Sequence, residues 1–421
     1  MTITFGRYTD AFKPKAKTDS WTKSEKLFEQ KQYMDSYDEF FNYLKDDALN
    51  NVSWKRENNN ITFELQQGSK TVHGSVNENK ITARSDIAEF EKLSVAFMRR
   101  LMEMNYALYY SRFALKDNGI YIKFDSGIPD GHPRKLYFAL KELALRADKQ
   151  DDLLLDDFST LKPADTRGIE QIPADEKEIK HTFFRRWIEE TVKRVSELNE
   201  DSFSGAISYL LLDLLYRIDY LITPEGTLMN DLEKISWTYF AKDNKPFQEK
   251  NKKMKEDFQK LLEKPKEAMI EDLYRTKSTF GIANPSNHQA VVDGINSNIG
   301  NVKWYIENNY EDIAVIIFEY MAGFCLFTFG LARPTIKLFN LQYRITRPEY
   351  FEALGFKEKY YDATAKKFDE QLLKDRINEI IKEGVEQFPE LTFKVDNLKF
   401  DTMINFLRSY ITEIQNLNYN G

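Results

Sequence analysis

The chain has 421 residues, 42% hydrophobic and 30% charged, with a net charge of −7. That length carries two or three domains, each with its own core, and the acidic balance argues against general nucleic-acid binding, which needs a basic face. One cysteine, Cys325, excludes an internal disulfide and a zinc site built of thiolates; a reducing compartment fits this best, and with no long apolar core near the N-terminus the expected location is the cytoplasm.

Residues 18–160 read as one α+β domain. A first helix is expected from a capping box at Thr22–Glu25, with Tyr37, Phe40, Phe41, Leu44 and Ala48 on its apolar face. The period then changes to two. Val52 and Trp54, then Ile61, Phe63 and Leu65, then Thr71 to Val76 and Lys80 to Ala83 form short strands separated by Asn- and Gly-rich turns, the pattern of an antiparallel meander. A second helix is expected from Asp86, with Phe90, Leu93, Phe97 and Leu101 in a seam that Val95, Met98 and Met102 widen. A stripe that broad can touch two surfaces, its own sheet and a partner. Strands over Leu108–Leu115 and Ile120–Phe124 flank an Asn-Gly turn. A third helix opens at Pro133 and places Leu136, Leu140, Leu143 and Ala147 on one face. Its acidic end, Asp148 with Asp151 and Asp152, reads as a junction with a following helix.

The order is α-β-β-β-α-β-β-α, an antiparallel sheet with helices. Its landmarks are ITFEL, DIAEFEKLSVAFMRRLMEM, ALYYSRFALKDNGIYIKF and LYFALKELALRADKQDDLL. Together they resemble the type III secretion chaperone fold and, within that style, the YbjN-like group of chaperone-like domains. The resemblance covers about a third of the chain. It implies recognition of a polypeptide client without nucleotide hydrolysis, often by a homodimer, here through the second helix. The family's chaperones are small single-domain proteins, whereas this chain continues well beyond the resemblance.

Residues 161–175, with two prolines and scattered charge, read as a linker, and 176–421 as a helical bundle. Two segments there are strongly apolar, Ala206–Ile222 and Ala314–Ala332. The second is long enough to cross a bilayer, but Glu319 within it favours a buried helix of a soluble domain.

No residue set identifies a reaction. His73, His132, His181 and His288 are scattered, so no metal site, cofactor site or catalytic group is assigned and the protein is read as non-enzymatic. The candidate partner surface comprises Phe90, Leu93, Phe97 and Leu101 of the second helix, with Trp54, Phe63, Tyr109 and Phe113 either lining an open sheet face or filling the core. His132, Arg134 and Lys135, at a helix start, are the candidate contact site for an anion. The alternative is a small-ligand or enzyme pocket in the helical region, built from Tyr216, Arg217, Asp219, Trp304, Glu319 and Tyr320.

Overall fold

A computed structural model describes residues 3–164 and 168–419. The chain divides into two units. One comprises Tyr8–Gln171 with Tyr274–Ile282, and the other takes the rest, including the N-terminal stretch up to Arg7.

The first unit is α+β. It opens with two helices instead of one, α1 (Lys15–Glu29) and α2 (Tyr33–Leu44). They part at Lys31, whose left-handed φ of 61° stops a helix. Thr22 therefore lies inside α1, where its hydroxyl donates to the Thr18 carbonyl, and the expected capping box does not form.

The sheet contains β1 (Val52–Glu57), β2 (Asn60–Gln67), β3 (Lys70–Val76), β4 (Lys80–Phe90), β5 (Arg112–Lys116), β6 (Gly119–Gly127) and β7 (Leu161–Pro163). The spatial order is β1-β2-β3-β4-β6-β5, with β7 on the far end of β4, and every pairing is antiparallel. Asn58 and Asp117 sit at positive φ in the β1–β2 and β5–β6 turns, as tight hairpins require. β4 runs four residues past the Asp86 at which a helix was expected. A register shift between Asp86 and Ala88 buries Ile87 and Ala88 side by side. That local break of the two-residue period imitates helical spacing. The helix, α3 (Val95–Tyr106), starts later, where the Ser94 hydroxyl accepts from the Ala96 amide at 3.2 Å.

α4 (Pro133–Asp157) is continuous for 25 residues, so the acidic cluster at its end is no junction between helices. Leu136, Leu140, Leu143 and Ala147 are buried against β3, β4 and β6, as their spacing requires. The stretch read as a linker contributes β7 to the sheet, together with a short strand β8 (Glu170–Gln171) that pairs with β9 (Tyr274–Arg275). The residues after β9 also belong here and not to the helical region. Thr279 donates from its hydroxyl to the Gln66 carbonyl at 2.8 Å, and Phe280 is part of the core.

The second unit is helical: α5 (Ala174–Ser196), α6 (Ser204–Arg217), α7 (Gly226–Phe240), α8 (Phe247–Glu263), α9 (Lys266–Glu271), α10 (His288–Glu307), α11 (Glu311–Thr328), α12 (Arg333–Thr346), α13 (Pro348–Ala353), α14 (Glu370–Val385) and α15 (Met403–Gln415). α6 continues through a π-helical turn over Ile218–Ile222. α6 and α11, apolar on most sides, pack along each other, with α8 and α5 against α6 and with α10, α12 and α15 against α11. Among the described residues no helix is long and apolar enough to cross a membrane.

Candidate functional site

One face of the sheet is covered and the other is polar. Trp54, Phe63, Gly74, Ala83, Phe124, Ile122 and Phe113 follow one another across the covered face. Phe63 and Phe113 are buried there. The Phe63 ring packs at a tilt against Phe41 of α2, centroids 4.7 Å apart, and lies over Gly74, where a Cβ would sit 2.0 Å from it. Trp54 is half-buried beside them, with its indole N–H donating to Asp38 at 3.1 Å. The opposite face carries Lys55, Thr62, Glu64, His73, Thr82, Arg84, Lys123, Asp125 and Arg112. Of the two roles open to these aromatics, the core therefore takes Phe63 and Phe113, and the open face is lined mainly by polar and charged side chains.

The seam expected on the second helix is split: Phe90 ends β4 and Leu93 lies in the turn before α3, so only Phe97 and Leu101 of the four are helical. Phe90, Phe97 and Leu101 are buried, Phe90 and Phe97 with ring centroids 5.4 Å apart, while Leu93 is exposed. The unexpected feature is the other side of α3. Val95, Met102 and Tyr106 recur at seven and four residues, so they share a stripe opposite Phe97 and Leu101. Val95 is 71%, Met102 74% and Tyr106 96% exposed. Tyr109, expected on a strand from Leu108, lies instead in the loop before β5 with Tyr110, 91% and 39% exposed.

That loop is built, not slack. Glu142 of α4 accepts the backbone N–H groups of Tyr109, Tyr110 and Ser111 at 2.8–2.9 Å, and the Ser111 hydroxyl at 2.7 Å. Partial burial works to raise the Glu142 pKa, and these four donors outweigh it, holding the carboxyl below its ordinary range. Asn105, in the last turn of α3, exchanges two hydrogen bonds with the backbone of Phe113 on the edge strand β5. The tyrosines are thus fastened at their backbones with their rings in solvent. Phe138, half-exposed, lies one turn before Glu142 on the same face of α4.

The candidate anion site has partners of its own. His132 caps α4, its Nδ1 accepting from the Arg134 amide at 3.2 Å, and its ring meets Phe28 edge-on at 5.1 Å. Arg134 pairs with Glu25 at 3.1 Å, and Lys135 donates to the Ser126 hydroxyl at 3.1 Å. The acidic end of α4 locks the β2–β3 turn. Asp148 accepts from the Ser69 amide at 2.8 Å, and Asp151 accepts from the Ser69 hydroxyl and pairs with the buried Lys70 at 2.9 Å.

In the helical unit the sequence candidates Arg217 and Glu319 do meet, inside a buried ionic cluster. Arg347, just past α12, binds Glu319 through two nitrogens, Nε to Oε1 at 2.9 Å and Nη2 to Oε2 at 2.5 Å. Arg217 lies 4.0 Å from Glu319, 3.5 Å from Asp213 and over the Trp187 ring at 5.1 Å. Burial works to raise the Glu319 pKa, and Arg347 with Arg217 overcomes it, so this carboxyl sits low. Asp213 receives less help. Burial pushes its pKa up to about 7 against the pull of Arg217, and its two oxygens accept no hydrogen bond from the described residues. Asp219 is committed to Arg7, Tyr216 and Tyr320 are packed against each other, and Trp304 stands about half-exposed away from the cluster. Cys325 is buried in α11, and burial pushes its thiol up to about 12.

No protein-family model matches the chain, and no curated protein is significantly similar to it.

Proposed function

We propose that the α+β unit is a polypeptide-binding module of the secretion-chaperone-like, YbjN-like kind, acting without catalysis in the cytoplasm. Its contact surface in this reading is the outer stripe of α3 with the clamped loop and Phe138. The observation that carries it is the area left uncovered. Leu93, Val95, Met102, Tyr106, Tyr109, Tyr110 and Phe138 range from 39% to 96% exposed. At roughly 200 Å² per large side chain this leaves on the order of 900 Å² of largely apolar surface. A standard interface takes ~800 Å² from each partner, about what these seven residues expose in sum. The tyrosines and Met102 suit adaptable recognition, since a tyrosine ring gives large contact area at low entropic cost and a flexible thioether fills irregular gaps. A second copy of the chain, laid antiparallel on Val95, Met102 and Tyr106, is the form in which the family resemblance anticipates a homodimer.

The test is the full chain carrying Met102→Glu and Tyr106→Glu, both surface changes. Wild type should capture a permanently unfolded, reduced and carboxymethylated protein, or should show a dimer mass by light scattering. The variant should lose both and keep its thermal midpoint. A wild-type chain that is strictly monomeric and captures no unfolded polypeptide would overturn the reading.

A further inference from the structure

The α7–α8 hairpin of the helical unit ends in an aromatic cluster distinct from the α3 surface and from the buried ionic cluster. α7 buries Leu228, Leu232 and Ile235, and α8 buries Met254, Phe258 and Leu261. Where the two helices meet at the loop 241–246, Trp237 is 72%, Phe240 46% and Phe247 56% exposed. Tyr239 lies between them, stacked on Phe247 at 5.7 Å and edge-on to Phe240 at 5.0 Å.

This end is held in shape. The buried Lys250 ammonium donates to the carbonyls of Tyr239 and Ala241 at 2.9 and 2.6 Å, closing the last turn of α7, and it pairs with Asp243 at 3.4 Å. Asn244 takes the left-handed turn, and Pro246 leads into α8. The rings project because the backbone under them is pinned.

The charge around them runs against the rest of the chain. From Lys234 to Lys260 there are eight lysines and four carboxylates, in a protein of net charge −7. Asp243 and Asp257 are taken up by Lys245, Lys250, Lys253 and Lys260. Lys242 and Lys245 are in the loop itself, and Lys252 lies about 8 Å along α8 from Phe247, within a Debye length of the rings at physiological salt.

We propose that this hairpin end is a peripheral docking site for an anionic lipid surface. Trp, Tyr and Phe favour the boundary between headgroups and acyl chains. Lysines set around such rings gain from the negative potential of an anionic leaflet. Rings that project from a helix end need no complementary groove, which a bilayer does not offer and a protein partner would have to supply. The site lies in the helical unit and is independent of the polypeptide-binding role of α3.

The experiment is co-sedimentation of the full chain with vesicles rich in phosphatidylglycerol, beside vesicles of phosphatidylcholine alone and a single-stranded oligonucleotide. Binding to the anionic vesicles only, weakened by salt, is expected. Trp237→Ser with Phe240→Ser should abolish it with the fold intact by thermal midpoint. Lys242→Gln and Lys245→Gln should each lower the partition coefficient about fivefold. No pelleting with anionic vesicles at low salt, pelleting unaffected by loss of the rings, or ring-dependent binding to the oligonucleotide that equals the vesicle binding would each overturn the proposal.

Discussion

The buried cluster of α6 and α11 makes the stability of the helical unit depend on pH in an unusual direction. Asp213 has a folded pKa of about 7 against an ordinary 3.8, chiefly because burial penalises its charged form. Between those values the folded state holds a proton that the unfolded state has released, so stability falls as pH rises and is lost through the folded pKa. Integrating the two titrations gives a loss of about 2–3 kcal/mol between pH 5 and pH 8 from this group alone. Asp213→Asn removes the charge and keeps the shape. Its advantage over wild type should widen by about 2–3 kcal/mol between pH 5 and pH 8, and the two should converge only below the ordinary carboxylate pKa. With two units in the chain, whole-molecule unfolding is a poor measure. Amide hydrogen exchange across α6, compared between variant and wild type at each pH, reports the local free energy instead. A difference that stays flat from pH 5 to pH 8 refutes the assignment of a raised pKa to Asp213.

Glu319→Gln should be far more damaging, by about 3–5 kcal/mol, because it leaves Arg347 and Arg217 buried beside each other without their shared anion; lost exchange protection in α11 is the readout. In the α+β unit, Asp151→Ala removes the anion paired with the buried Lys70 ammonium and should cost about 3–5 kcal/mol, whereas Lys70→Met with Asp151→Leu should recover most of it; amide exchange across β3 and α4 separates the two. Gly68→Ala meets two obstacles, a φ of +54° and an added Cβ 1.8 Å from Asp148 Oδ1. It should lower the local stability read by amide exchange across β2 and β3 by about 1–3 kcal/mol, and adding Asp148→Ala should recover only part, since the backbone strain remains.

Much of the fold could be read from periodicity. The alternation of Ile61, Phe63 and Leu65, the Asn-Gly turn and the apolar face of α4 correspond to β2, the β5–β6 hairpin and the buried side of a 25-residue helix. The errors share a cause. At Ile87–Ala88 a bulge replaces the two-residue period with adjacent buried residues, and a helix was inferred nine residues early. α7 and α12 are hard to read from the sequence because neither carries a long apolar run, although both bury leucines at helical spacing. The return of Thr279 and Phe280 to the first unit rests on hydrogen bonds to Gln66 and Gln67 more than two hundred residues away, which no local pattern encodes.

The charged cluster shows where local reading ends. Asp213 and Arg217 stand four apart, a pair any helix face permits, and Glu319 in an apolar helix demands a cation. That the cation is Arg347, held at the end of an unrecognised helix, is a tertiary fact. α3 is the converse case. Its sequence already shows more apolar positions than one buried stripe needs, because Val95 and Met102 fall outside the Phe97–Leu101 line. A helix has only so much perimeter to bury, and the sheet unit takes just one side of this one. The surplus on the other side, continued by tyrosines that Glu142 fixes in the open, has no structural use within the unit. It is this surplus on which the proposed polypeptide-binding role rests.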